Sequence, residues 1–159
     1  MNFSFLKAVK KKFYKSTLCG GGPNFEWSEF IIPSTLQLSP LIQTLVEPVS
    51  SKQTIEKIHL GLHEALVNAV QHGNSGDPSK YLRVRRILTP NWLVWQIQDQ
   101  GQGISINSRG SALPSQIDAD HGRGIFLIHQ CFDDVRWSRK GNRLQLAYKR
   151  TSVVSDVDS

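Results

Sequence analysis

Glu64, Asn68 and His72 stand four residues apart within Gly61 to Asn74, GLHEALVNAVQHGN. A helix advances about 100° per residue, so a step of four keeps them on one slowly winding stripe. Buried helices avoid such side chains unless something pairs with them. A carboxylate can orient or deprotonate a hydroxyl or a water. An amide oxygen is a hard donor that suits magnesium, which prefers oxygen ligands and keeps several waters. The stripe is therefore expected to face a nucleotide and its metal. Gly61 falls on the same side and would admit a ligand or a neighbouring backbone. Alone the stripe is weak, because polar residues at i and i+4 also line solvated faces.

Two glycine-bearing segments follow. In Ile97-Gln98-Asp99-Gln100-Gly101-Gln102-Gly103-Ile104 the carboxylate of Asp99 would sit at a strand end, where it can accept from an exocyclic amine such as that of adenine. Gly101 and Gly103 remove side chains where backbone must bend or approach a base. In His121-Gly122-Arg123-Gly124 the glycines open a helix, whose free N–H groups and dipole suit phosphate oxygens. Arg123 adds a charged donor. Taken singly, these two segments also read as a plain turn and a plain helix start.

The elements that must hold these residues follow from periodicity. Phe25 to Ile32 alternates as a strand and Pro33 ends it. Ser39-Pro40 opens a helix to about Val46, stopped by Pro48. Ser50 and Gln53 form a capping-box pattern for the stripe helix. Ile55, Ile58, Leu62, Ala65, Leu66 and Ala69 give that helix its apolar face, and it ends near His72-Gly73-Asn74. Tyr81 to Leu88 and Trp92 to Ile97 read as a hairpin about Thr89-Pro90-Asn91. Gln98 to His121 is a long polar loop, of a length that is usually functional or mobile. Gly124 to Phe132 is again helical. Val135 to Trp137 and Leu144 to Tyr148 close the chain as strands about Lys140-Gly141-Asn142. Irregular alternation with hairpins argues for an α+β fold, a two-layer α/β sandwich with helices on one face of the sheet.

Composition sets the outer limits. The chain has 159 residues, enough for one domain with a real core, and no apolar run approaches a membrane span. No secretory signal is evident, and Cys19 and Cys131 lack metal or disulfide spacing, which fits a cytoplasmic protein. The net charge of +6 is carried by Lys7, Lys10, Lys11, Lys12 and Lys15; the 19 basic residues less these five leave 14 against 13 acidic ones. A nearly neutral body argues against direct nucleic-acid binding. Residues 1–22 read as a basic flexible tail ending in Gly20-Gly21-Gly22, 23–150 as the domain, and 151–159 as a polar tail. The tail also admits a reading as a basic amphipathic helix for an anionic membrane or an acidic partner.

In their order, the three segments resemble the GHKL ATPase superfamily, which includes gyrase, Hsp90, the histidine kinases and MutL. Within it they are most similar to the compact anti-sigma-factor serine/threonine kinases. Glu64-Ala-Leu-Val-Asn68-Ala looks like the N-box, Asp99-Gln-Gly101-Gln-Gly103-Ile104 like the G1 box, and Gly122-Arg-Gly124-Ile-Phe-Leu-Ile like the G2 box. Phe132-Asp133-Asp134-Val135 continues the likeness, which runs from about Phe25 to Tyr148. The resemblance implies a Bergerat-type sandwich with a mixed, mostly antiparallel sheet, binding ATP and Mg2+. It implies Asn68 as metal ligand and Asp99 as adenine reader. Gly101, Gly103, Ile104, Gly122, Arg123 and Gly124 would shape the base and phosphate sites. Glu64 would be general base towards a protein serine, and Asn107 to Asp120 the ATP lid. The partners it implies are a sigma factor and an anti-anti-sigma (STAS-type) protein, and dimers occur among the family's members. The alternative on the same fold is a non-catalytic, ATP-gated binding module. A sensor histidine-kinase domain is disfavoured by the want of a helical hairpin ahead of the domain. Two departures stand out. Asp120 and His121 replace the arginine often found before the G2 glycines, so that Arg123 or Arg109 would have to serve. Gly141-Asn142 replaces a Gly-Thr.

Overall fold

The fold comes from a computed structural model that describes residues 12–16, 25–110 and 120–150, with side chains over 25–110 and 123–150. In chain order the elements are β1 (Lys12–Ser16), β2 (Phe25–Pro33), α1 (Ser39–Val46), α2 (Lys52–Asn68) and a π-turn (Ala69–Gly73). There follow β3 (Tyr81–Leu88), β4 (Trp92–Gln98), a 3-10 turn (Ile106–Ser108), α3 (Asp120–Cys131), β5 (Asp134–Trp137) and β6 (Arg143–Lys149).

The strands form one sheet in the order β1-β2-β3-β4-β6-β5. Every pairing is antiparallel, so the expected mixed sheet has no parallel pair among the described residues. Register lines Phe30, Val84, Ile97 and Leu144 across four neighbouring strands, and all four are buried. This is the face the helices cover; the alternate positions Arg85, Gln96 and Gln145 stay half-exposed, as period-2 alternation requires. Ile42 and Leu45 of α1, Ile58, Leu62 and Leu66 of α2 and Ile128 of α3 meet that face and are almost fully buried. Each such side chain contributes roughly 1.5–3 kcal/mol by leaving water. The result is the expected two-layer α/β sandwich.

The polar groups of Trp95 and Arg86 are matched inside the layer, whereas the Trp137 indole N–H is buried without a hydrogen-bond partner among the described residues. The Trp95 indole N–H donates to the carbonyl of Leu45 at 3.2 Å, and its ring meets Phe132 edge-on at 5.7 Å. Arg86 donates to the carbonyl of Thr44 and pairs with Glu47 at 3.5 Å, so it satisfies and charge-complements the C-terminal end of α1.

Two local expectations need correction. The cap of α2 is Ser51, whose side chain accepts from the Thr54 N–H, rather than Ser50; adjacent serines offer the same chemistry one residue apart. Within the segment read as a flexible tail, Lys12–Ser16 is a strand paired with β2. Its register sets Lys12 opposite Glu29 and Lys15 opposite Glu26. A local reading sees only the lysines. The rest of both tails and most of the expected lid, residues 111–119, lie outside the described residues.

Candidate active site

Helix α2 carries Glu64 and Asn68 one turn apart on the flank of its buried stripe, both half-buried. Helix α3 crosses against them. Gly124 is the point of contact: a β-carbon there would stand 3.2 Å from Glu64 Oε2, 3.2 Å from Asn68 Nδ2 and 3.6 Å from Asn68 Oδ1. The glycine therefore leaves room for both polar ends beneath α3. Gly61, one turn earlier, faces α3 as well. A β-carbon there would meet Phe132 Cε2 at 2.5 Å and Cys131 Cβ at 2.6 Å, so its approach serves helix packing rather than a ligand. Cys131 is buried there, and burial pushes its thiol up, the state of an inert core residue.

His72 leaves the stripe. After Asn68 the helix widens into the π-turn, closed by the Asn74 N–H donating to Ala69 O at 2.8 Å. The wider turn breaks the four-residue phase, and the His72 side chain is exposed at the rim.

Asp99 follows β4 and is fixed on three sides. Its N–H donates to Asn142 O at 3.0 Å, and Asn142 Nδ2 donates to Asp99 O at 3.3 Å. Its Oδ1 accepts from the Gly101 N–H at 2.7 Å. Gly73 leaves room for the carboxylate, since a β-carbon there would lie 2.6 Å from Asp99 Oδ2. Desolvation raises the Asp99 pKa, opposed by the Gly101 hydrogen bond. Gly101 packs on the carbonyl of Gly73, where any side chain would collide. Gly103 has φ +90 and abuts the Lys140 carbonyl, while Ile104 donates its N–H to Gly141 O at 3.1 Å. The loop after β4 is thus wedged between the end of α2 and the β5–β6 turn.

Gly122, Arg123 and Gly124 all lie within α3, which begins at Asp120. The side chains of 120–122 lie outside the described residues, and Arg123 is exposed. Arg109 is engaged elsewhere. It donates from Nε and Nη2 to Ile104 O at 3.1 and 2.8 Å, from Nη1 to Ser138 O at 3.1 Å and from Nη2 to Arg139 O at 3.3 Å. It fastens the loop to the β5–β6 turn instead of replacing the expected phosphate arginine.

Glu64, Asn68 and Gly124 are thus brought together, and Asp99, Gly101, Gly103 and Ile104 form a second cluster joined to the first through the end of α2. Sequence reasoning missed Asn74 and Asn142, the amides that hold the second cluster. The signal of Asn74 was its place in a turn, where asparagine is common for its own backbone reasons, and that of Asn142 was its place where the resemblance expects a Gly-Thr.

Residues 41–148 match the family described as "Histidine kinase-like ATPase domain". The chain belongs to that family. It is an ATP-binding domain on that ground. The chain is also 26% identical over 93 residues to proteins named "Serine-protein kinase RsbW" from Listeria monocytogenes serotype 4a (strain HCC23) and serotype 4b (strain CLIP80459). The same identity holds for the protein of that name from Listeria innocua serovar 6a. Each match covers 54% of this chain and 59% of the relative. No helix among the described residues is long and apolar enough to cross a membrane.

Proposed function

We propose that this protein is an ATP- and magnesium-dependent protein serine/threonine kinase that acts as an anti-sigma factor, phosphorylating an anti-anti-sigma partner and holding a sigma factor. The observation that carries this reading is the juxtaposition of Glu64 and Asn68 beneath Gly124, which gives a carboxylate and a hard amide oxygen at one point. A binder needs no carboxylate there; a phosphotransferase does.

In the reaction so read, the hydroxyl oxygen of the partner's serine or threonine bonds to the γ-phosphorus as the bond to the β-phosphate oxygen breaks. Glu64 takes the hydroxyl proton, and the products are the phosphorylated partner and ADP. Asn68 offers its amide oxygen to magnesium, which when bound neutralises phosphate charge. Asp99 would accept from the adenine amine, and the N–H groups opening α3 would supply donors to the phosphates. The likeness to proteins named as serine kinases supports the choice of acceptor, and a cytoplasmic setting is part of the same reading.

Incubation with ATP, magnesium and an anti-anti-sigma protein should label one serine or threonine on that protein. Glu64→Gln should lower the labelling rate by roughly 10²–10⁴ with ATP affinity nearly unchanged. Labelling undiminished in that variant would remove Glu64 from the chemistry. A non-catalytic, ATP-gated module is the second reading. It is favoured by Arg109, whose guanidinium is committed to backbone carbonyls. Tight ATP binding with no transfer to any partner would establish it.

A further inference from the structure

We infer that Asn74 is a positioning residue that aims Asp99 at the base and so sets the preference for adenine. The inference rests on the nucleotide reading above. The Asn74 side chain is completely buried, at 0% exposure. Its Oδ1 accepts from the Gln100 N–H at 2.8 Å, and its Nδ2 donates to Tyr81 O at 3.1 Å and to Ser34 Oγ at 3.2 Å. One amide thus joins the end of the α2 segment, the start of β3, the end of β2 and the loop that carries Asp99.

The choice of residue is narrow. The site demands an acceptor and two donor hydrogens on one short planar group. Aspartate lacks the donors, glutamine is a methylene too long, and serine cannot reach three elements. The backbone around it is equally committed. The Asn74 N–H closes the π-turn on Ala69, and the chain then reverses through Ser75 at φ +58 and Gly76 at φ +67.

The consequence falls on Asp99. Gln100 is the next residue, and its N–H is pinned by Asn74 while its Oε1 accepts from the Tyr81 N–H at 2.8 Å. Gly101, one further on, returns its N–H to Asp99 Oδ1. Without Asn74, Gln100 keeps its side-chain bond to Tyr81 and Asp99 its backbone bonds to Asn142, but the Gln100 N–H loses its anchor. The Gly101 N–H that holds Asp99 Oδ1 follows Gln100 directly, so the aim of the carboxylate shifts with it. ATP carries that amine and ITP has a carbonyl in its place, so the ratio of their affinities reads the aim of Asp99 directly.

The test uses the full chain. Affinities for ATP and ITP are measured for the unsubstituted protein, for Asn74→Ala, and for Ser34→Ala, which removes a partner of the same amide but leaves the Gln100 bond. Asn74→Ala should reduce the ATP-over-ITP preference roughly tenfold, the scale of one well-placed hydrogen bond. Ser34→Ala should keep the preference even where its melting temperature falls. Amide exchange in the unsubstituted protein covers the case in which Asn74→Ala does not fold. The Gln100 N–H should be protected although the Gln100 side chain is exposed, and exchange at the rate of an open loop overturns the proposal. An unchanged ATP-over-ITP ratio in folded Asn74→Ala overturns it alone. Failure of the unsubstituted protein to bind ATP overturns the nucleotide reading and this proposal with it.

Discussion

Desolvation works against the charge on Asp99, and the Gly101 N–H works for it. The net effect raises the Asp99 pKa above its usual 3.8. The folded state therefore holds this proton more tightly than the unfolded chain. Stability from the group is full at low pH and is lost as pH rises through the folded pKa, so the ionised carboxylate weighs against folding at neutral pH. Asp99→Asn keeps an oxygen for the Gly101 N–H and removes the charge. Its melting temperature should exceed that of the unsubstituted protein at pH 7, with the gap closing as pH falls through the carboxylate range. ATP affinity should fall about tenfold or more, since a charged acceptor makes the stronger bond. Melts across that pH range and calorimetric titration check both, and a lower melting temperature at pH 7 would contradict the account. Glu64, Asn68 and Asp99 stood out as candidates because their types carry chemistry and their spacing or flanking glycines mark the place. Asn74 and Asn142 did not, because an asparagine in a turn has an ordinary local explanation. Their reach is set by contacts 26 and 43 residues away in sequence.

Helices α2 and α3 meet where side chains are smallest, and Gly124 is the contact that touches chemistry. A methyl group there would press on the ends of Glu64 and Asn68, which can yield by a few tenths of an ångström. Gly124→Ala also removes a glycine from a helix, a change worth up to about 1 kcal/mol of stability. The variant should therefore melt no lower than the unsubstituted protein. On the proposed kinase reading its phosphotransfer should nonetheless drop about tenfold, because even a sub-ångström displacement of the groups assigned to the chemistry is costly. Parallel melts and labelling assays decide the matter; full activity would mean that the glycine serves packing alone. Periodicity made α1, α2 and the β3–β4 and β5–β6 hairpins readable, since each buries a regular stripe. It could not show the π-turn, where Val70 stays buried while His72 swings outward. Nor could it show that α3 starts before its glycines, since the two glycines and charged residues in its first turns hide the helical pattern.

At the scale of the molecule, the site lies towards one end of the sheet's strand order and β1 lies at the other. Asp99 follows β4, and β1 is three strands away across β3 and β2. Among the described residues β1 pairs with β2, so what happens at β1 should reach stability before it reaches the nucleotide. Pairing over the five positions Lys12 to Ser16 covers the edge of β2. Cross-strand pairs contribute roughly 0.2–1 kcal/mol each, so deletion of residues 1–16, which removes the five of β1, should lower stability by about 1–5 kcal/mol. It should also bare the N–H and C=O groups of β2, whose Trp27, Phe30 and Ile31 make an edge prone to pair with another chain. The same deletion removes Lys7, Lys10, Lys11, Lys12 and Lys15, leaving the domain nearly neutral and weakening charge repulsion between copies. Self-association should therefore rise, as read by sedimentation, while ATP affinity stays within about twofold. A collapse of ATP binding in soluble, folded protein would mean that β1 takes part in the site, against the topology. Binding of the full chain to anionic vesicles that vanished on this deletion would instead give the five lysines a membrane role, although Lys12 and Lys15 lie in a strand paired with β2.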